Sequence, residues 1–239
     1  MPTVVLFRLH DPDAGTERAR LLSLFARARG AEAPGSGRPG FSADVDACRA
    51  DATARYDVQG GTMKIRRVVT GHDEKGKSLF VSDEEVEPLT VGALPGAEFH
   101  RLWGADSAPT FPDRGEPPAQ PTFFPPVNGF RFLYFTIPPQ STAAPDVDPA
   151  AAESEVEEKL PGMSQWMEAD DPGMHTTDTV DFEVVISGEI TLELDGGAEK
   201  VLRAGDTNIQ NGTRHRWHNR GSEPAVIATF IVGANRAKT

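Results

Sequence analysis

Cys48 is the single cysteine in 239 residues, which leaves nothing for an internal disulfide framework or a thiolate metal cluster and suits a reducing compartment. Basic charge is also scarce: 24 Lys and Arg stand against 36 Asp and Glu, a formal net charge of −12. No basic stripe concentrates the cations, so the chain would repel a phosphate backbone or an anionic bilayer, and neither nucleic acid nor membrane is expected as a partner. Long apolar runs are missing too. Val4–Phe7 is too short for a signal-peptide core or a membrane span, and Asp11 and Asp13 follow soon after it. A soluble, cytoplasmic protein is the expectation. There is no Walker or Rossmann glycine pattern and no Gly-x-Ser-x-Gly elbow, so nucleotide cofactors and serine hydrolysis find no support.

Residues 1–62 differ from the rest in holding eight Arg, no Lys and eight acids, so the negative charge lies after them. Within them Thr16–Arg29 has the pattern of an amphipathic helix, with Thr16 as a cap, and 30–40 reads as a breaker-rich linker. An upstream in-frame extension, a flexible tail and a small helical appendage all fit this segment. The folded domain is expected over 63–234, with 235–239 as a tail. Strands are expected at 64–70, 78–82, 97–104 and 130–138, a proline-rich loop at 109–128, and a helix at 150–160, started by Asp148-Pro149 and stopped by Pro161-Gly162. From Gly173 the pattern becomes short β segments between glycine turns: 175–187, 189–195, 198–203, 206–210, 215–219 and 224–232. Six such segments in about sixty residues argue for an all-β jelly-roll or barrel with one short helix.

Strand alternation puts His175, Thr177, Thr179, Asp181 and Glu183 on one face, and Val180, Phe182, Val184 and Ile186 on the other, which reads as the core face. An imidazole and two carboxyls on one strand face are costly to enclose unless a metal, a ligand or a hydrogen-bond network compensates them. His215, with Trp217 and Asn219 at the same parity, lies on a later strand that can face the first. Glu183 has two readings: a second catalytic carboxyl with its pKa raised by burial, or a side chain turned to solvent at a bulge. Trp217 can form an aromatic wall or pack in the core. Arg131 can anchor a substrate oxyanion if it faces inward. His218 and His100 read as surface and structural residues, and Asn219 as the residue that fixes a turn.

These residues resemble the cupin superfamily. Its first motif is matched by His175-x-Thr177, Asp181 and Gly188, and its second by Gly205-Asp206, Asn211-Gly212 and His215-x-x-x-Asn219. The resemblance covers about 173–234 and implies a double-stranded β-helix fold. Thr177 stands where the family has its second histidine, Asp181 where it has Glu, and Asn211 where it has proline, so the four-ligand metal site is incomplete. The remaining His175, Asp181 and His215 can form a two-histidine, one-carboxylate set for Fe, Mn, Ni or Zn, or work without metal as an acid/base group. The resemblance therefore implies a small-molecule enzyme. It could be a metal-dependent oxidoreductase acting on an oxygenated or aromatic metabolite, or a metal-independent dehydratase or isomerase. A non-catalytic ligand-binding protein is the reading from another class, and Thr177 favours it. Thr177, Glu183, Trp217 and Arg131 are the expected substrate contacts. Family analogy further implies a homodimer.

Overall fold

The computed structural model describes residues 63–143 and 146–237, so the expected helix at Thr16–Arg29 and every reading of 1–62 lie outside the described residues. Ten strands follow in order: β1 (Ile65–His72), β2 (Ser78–Val86), β3 (Glu98–Ala105), β4 (Phe130–Ile137), β5 (Thr179–Ser187), β6 (Glu189–Leu194), β7 (Glu199–Arg203), β8 (Thr207–Gln210), β9 (His215–His218) and β10 (Ala225–Gly233). The helix α1 (Pro149–Lys159) sits between β4 and β5. The Asp148 side chain caps it by accepting from the Ala151 N–H, and Pro149 occupies the first turn, where its missing donor has no partner to lose.

The strands form three antiparallel groups. β1 and β2 are a hairpin, β3-β4-β10-β5-β8 is a five-stranded sheet, and β7-β6-β9 is a three-stranded sheet. The hairpin lies against β3, where Arg67 donates to the Leu102 carbonyl at 2.7 Å and His100 Nε2 meets the Met63 carbonyl at 2.9 Å. The two larger sheets face each other as a jelly-roll sandwich, and their hydrogen bonds do not run around as one closed cylinder. Val185, Ala225 and Ile227 from one sheet meet Ile190 from the other in one core cluster. A second cluster joins Leu133 and Ile231 to Val91, Phe123 and Leu160, so the proline-rich loop and the end of α1 cover the far end of the larger sheet.

Gly188 lets β5 turn into β6. Its φ is +76°, and a Cβ there would meet the Pro224 carbonyl oxygen at 2.8 Å.

The alternation along β5 holds, but the face expected to be the core is outside. Thr179, Asp181, Glu183 and Val185 are buried, while Phe182 and Val184 are exposed. Register explains this. Asp181, Glu183 and Val185 pair with Ile231, Thr229 and Ile227 of β10, all three of them buried, whereas Phe182 pairs with Phe230. The outward row continues through Phe132 on β4 and Ile209 on β8, so four large apolar side chains stand in register across the outer face, each more than a third exposed. No helix among the described residues is long and apolar enough to cross a membrane.

Candidate active site

His175 stands just ahead of β5 and His215 opens β9. They form an antiparallel bridge in which each N–H donates to the other's carbonyl at 2.9 Å. The cross-strand pairing puts both imidazoles on one side, with ring centroids 4.1 Å apart and planes inclined by 51°. Each Nδ1 faces a backbone carbonyl, Gly173 O at 3.0 Å and Thr213 O at 2.9 Å respectively. A carbonyl only accepts, so Nδ1 carries the proton and Nε2 is left as the acceptor nitrogen in both rings. Burial lowers both pKa values, and His215, further depressed by His175 beside it, falls to about 4. Both rings are neutral at pH 7.

The two imidazoles line a cavity of about 460 Å3, and so do Asp181, Glu183 and Trp217. Burial raises Asp181 to about 6 despite a hydrogen bond from Thr179. It raises Glu183 to about 8, with the Asp181 charge adding to the rise and Asn208 Nδ2, donating at 2.7 Å to Oε2, opposing it. The solvent-facing reading of Glu183 is therefore overturned, because Glu183 is 5 % exposed. At pH 7 the site holds a protonated Glu183, a largely ionised Asp181 and two neutral imidazoles. Two carboxyls with pKa values pushed apart, in one cavity with free imidazole nitrogens, supply both an acid and a base at one pH. The indole of Trp217 stands edge-on to His215 at 6.2 Å and belongs to both the cavity wall and the inter-sheet core.

Two expected substrate contacts lie elsewhere. Arg131 is 1 % exposed and does not line the cavity. Its guanidinium donates to the carbonyls of Thr122, Ala105 and Phe130 and pairs with Asp106 Oδ1 at 2.6 Å, so it ties the proline-rich loop to β3 and β4. Thr177 is buried outside the cavity. Its hydroxyl shares a 2.8 Å hydrogen bond with Thr179, and its carbonyl accepts from Arg236. Asn219 donates to the carbonyls of Ile137 and Glu223 and accepts from Gly221, and so fixes the turn after β9.

Sequence reasoning passed over Asn208, Thr136 and Thr229. Thr136 and Thr229 belong to the cavity wall, and their hydroxyls, like Asp181 Oδ1, are buried without a protein hydrogen-bond partner. Asn208 carries no signal until the β5–β8 register sets it opposite Glu183.

The donor types among the cavity residues suit a divalent ion: two imidazole acceptors and an orphaned carboxylate oxygen. Their spacing does not gather them about one point. Among the described residues, the group whose ligand atoms all lie within 4.8 Å of one another is Glu193, Glu199 and His218, on the other sheet. There Glu193 is already bound by Arg216 and by His218 Nε2 at 2.5 Å, and Glu199 is forked by Arg220.

Residues 166–232 match the family model described as a cupin domain. Over that stretch the chain resembles a cupin domain. Oryzines biosynthesis cluster protein J of Aspergillus oryzae is 43% identical over 62 residues, covering 26% of this chain and 35% of that protein. Over a longer stretch, the cupin-domain-containing oxidoreductase fogC of Aspergillus ruber is 25% identical, covering 73% of this chain and 75% of its own. Matches to the biosynthesis cluster proteins span only about a third of those proteins' length. Among solved structures, a Cupin 2 conserved barrel domain protein from Salinispora arenicola CNS-205 aligns at a TM-score of 0.34 and 16% identity, covering 64% of this chain and 92% of that one. The cupin match begins at the 3-10 turn Ser164–Trp166 and ends within β10, so it contains both histidines and both buried carboxyls.

Proposed function

We propose that this cupin is a small-molecule enzyme that moves protons on an oxygenated, largely apolar metabolite, with the cavity between the two sheets as its active site. The observation that carries this reading is that two imidazoles with Nε2 free and two buried carboxyls, Asp181 and Glu183, line one cavity, with burial raising both carboxyls above their ordinary values. In a dehydration, an imidazole Nε2 accepts the proton from the carbon next to a substrate carbonyl. The electron pair forms the new double bond, and the departing hydroxyl takes the Glu183 proton and leaves as water. In an isomerisation the same groups take a proton from one carbon and return it to another.

Proton abstraction can be read directly with 2-tetralone, a neutral aromatic ketone, in deuterated buffer. Loss of the signal from the protons beside the carbonyl should run faster with protein than without, and His215→Ala should slow it about tenfold or more. Exchange no faster than in buffer, or unchanged in both His175→Ala and His215→Ala, refutes the reading. Binding without exchange is the outcome that supports a non-catalytic ligand-binding protein instead.

A second reading is a metal-dependent oxidoreductase. It is favoured by the name of the fogC relative and by the presence, among the residues of one cavity, of two free Nε2 atoms and the unpartnered Asp181 Oδ1. It requires His175, His215 and Asp181 to draw together around Fe, Mn, Ni or Zn. Near-stoichiometric metal by elemental analysis, lost in His175→Ala, supports it, and metal that survives that substitution counts against it.

A further inference from the structure

An antiparallel sheet packed on one side commonly turns polar residues to solvent on the other. The outer face of the five-stranded sheet does not. Its central row is Phe132, Phe230, Phe182 and Ile209. One flanking row runs from Phe130 through Val232 to Val180, and the other from Tyr134 through Ala228 and Val184 to Thr207. None of these positions carries a charge, in a chain where 25% of the residues do. On the β3 side the hairpin walls this face: Ile65–His72 and Phe111 share a groove of about 830 Å3 with Phe130, Phe132 and Tyr134. The exposed parts of Phe111, Phe132, Phe182 and Phe230 alone come to roughly 400 Å2, already in the range of the largest patch on a typical monomer. Val68, Val184, Ile209 and the partly exposed residues between them carry the face toward the ~800 Å2 that each partner of a stable pair covers.

We infer that a second copy of the chain packs on this face, outer sheet against outer sheet, which names a surface that the family analogy leaves open. The pairing is independent of the chemistry proposed for the cavity. A partner selected by charge would find nothing to pair with here. The hairpin charges that border the face are matched within the hairpin, Lys64 with Glu85 at 3.1 Å, Arg66 with Asp83 at 2.6 Å, and Arg67 with Glu84. The net charge of −12 opposes self-association in general, and an uncharged face is where two copies meet at least electrostatic cost. The wall is one-sided: the hairpin stands at the β3 side, whereas at the opposite edge Ile209 on β8 is 51 % exposed. A two-fold axis along β10, the middle strand, sets each hairpin beside the other copy's β8 edge. The two walls then do not collide, and each covers apolar surface of the other.

Sedimentation equilibrium of the full-length protein tests this. Wild type should have the mass of two chains at micromolar concentration. Phe182→Lys and Phe230→Lys should each weaken the pair by about a hundredfold or more, because a lysine there would be buried without a countercharge at the centre of the contact. Both positions are exposed in the single chain, so the variants should keep the near-UV circular dichroism of a folded protein. Val201→Lys, at an exposed position on β7 of the other sheet, should leave the mass unchanged. Hydroxyl-radical labelling of wild type supplies a readout that needs no variant: oxidation of Phe182 and Phe230 should fall severalfold between dilute, dissociated protein and concentrated protein. A wild type that remains one chain overturns the inference. So does a pair that survives both lysine variants, one lost equally in Val201→Lys, or one in which the two rings label as freely as in the single chain. A single chain whose two rings are already protected from the radical also overturns it, and points to another part of the same chain as the cover.

Discussion

Replacing Glu183 by Gln should make the protein more stable in alkali, by an amount the structure sets. Burial moves the Glu183 carboxyl from 4.5 to about 8, so the folded state resists its ionisation while the unfolded chain ionises it freely. The sign follows from a raised folded pKa: this contribution is complete below about pH 4.5 and drains away as pH climbs to about 8. The full displacement corresponds to about 5 kcal/mol, and the portion lost between pH 6 and pH 9 is about 2–3 kcal/mol. Gln stays neutral. Its carbonyl can still accept from Asn208, and its amide donates where the protonated acid does. Asp181 and the histidines titrate in both proteins, so they largely cancel from the difference. For a domain of this size 1 kcal/mol moves Tm by about 2–4 °C, so the E183Q advantage should grow by about 5–10 °C from pH 6 to pH 9. Thermal melts of chelator-treated wild type and variant, monitored by near-UV circular dichroism, read this directly. Curves that stay parallel across that window would show that Glu183 ionises as easily folded as unfolded, and the assignment of an acid to this site would go with it.

The other predictions concern neighbouring groups. Depressed histidines contribute stability that is present above about pH 6.5 and lost as pH falls toward 4, up to about 3 kcal/mol for His215, so His215→Gln should flatten the acid limb of urea unfolding measured between pH 7 and pH 4.5. Removing the Asn208 amide with Asn208→Ala takes away the one hydrogen bond that restrains Glu183, so the alkaline limb of the 2-tetralone exchange rate should move to higher pH; a downward move contradicts the hydrogen-bond assignment. Arg131→Met leaves Asp106 and three loop and strand carbonyls without their donor and should cost about 3–5 kcal/mol in urea unfolding, and Lys should not rescue it because it lacks the planar fork. Gly188→Ala should lose about 1–3 kcal/mol in the same assay, from the left-handed backbone and the close Pro224 carbonyl together.

Glycine turns and β-rich runs were enough to find the strands, since β3, β4 and β6 to β10 begin and end within one or two residues of where composition puts them. The pairing of His175 with His215 also followed from local signals, because both lie at the ends of motif-like segments. The inside of β5 could not be read from alternation. Val180, Phe182, Val184 and Ile186 look like a core to any hydropathy rule, and only the register with β10 shows that Phe182 joins an outward row while Asp181 and Glu183 face in. Arg131 was a substrate contact only if it faced inward; it is buried, but its guanidinium reaches the carbonyls of the loop at 122 and the end of β3 and not the cavity. Thr136 and Thr229 were invisible because a lone threonine in an apolar strand is ordinary until its hydroxyl proves unpaired.

The backbone bridge between His175 and His215 divides the molecule's tolerance for change. Two main-chain hydrogen bonds hold the strands that carry the imidazoles together, whereas part of the cavity wall is lent by irregular segments, among them 93–95, Pro138–Gln140, and Met163 and Met167 near the 3-10 turn. Insertions or swaps in those segments can therefore reshape the cavity while the two histidines keep their spacing, so one framework of this kind can be retuned from one guest to another by editing its loops alone.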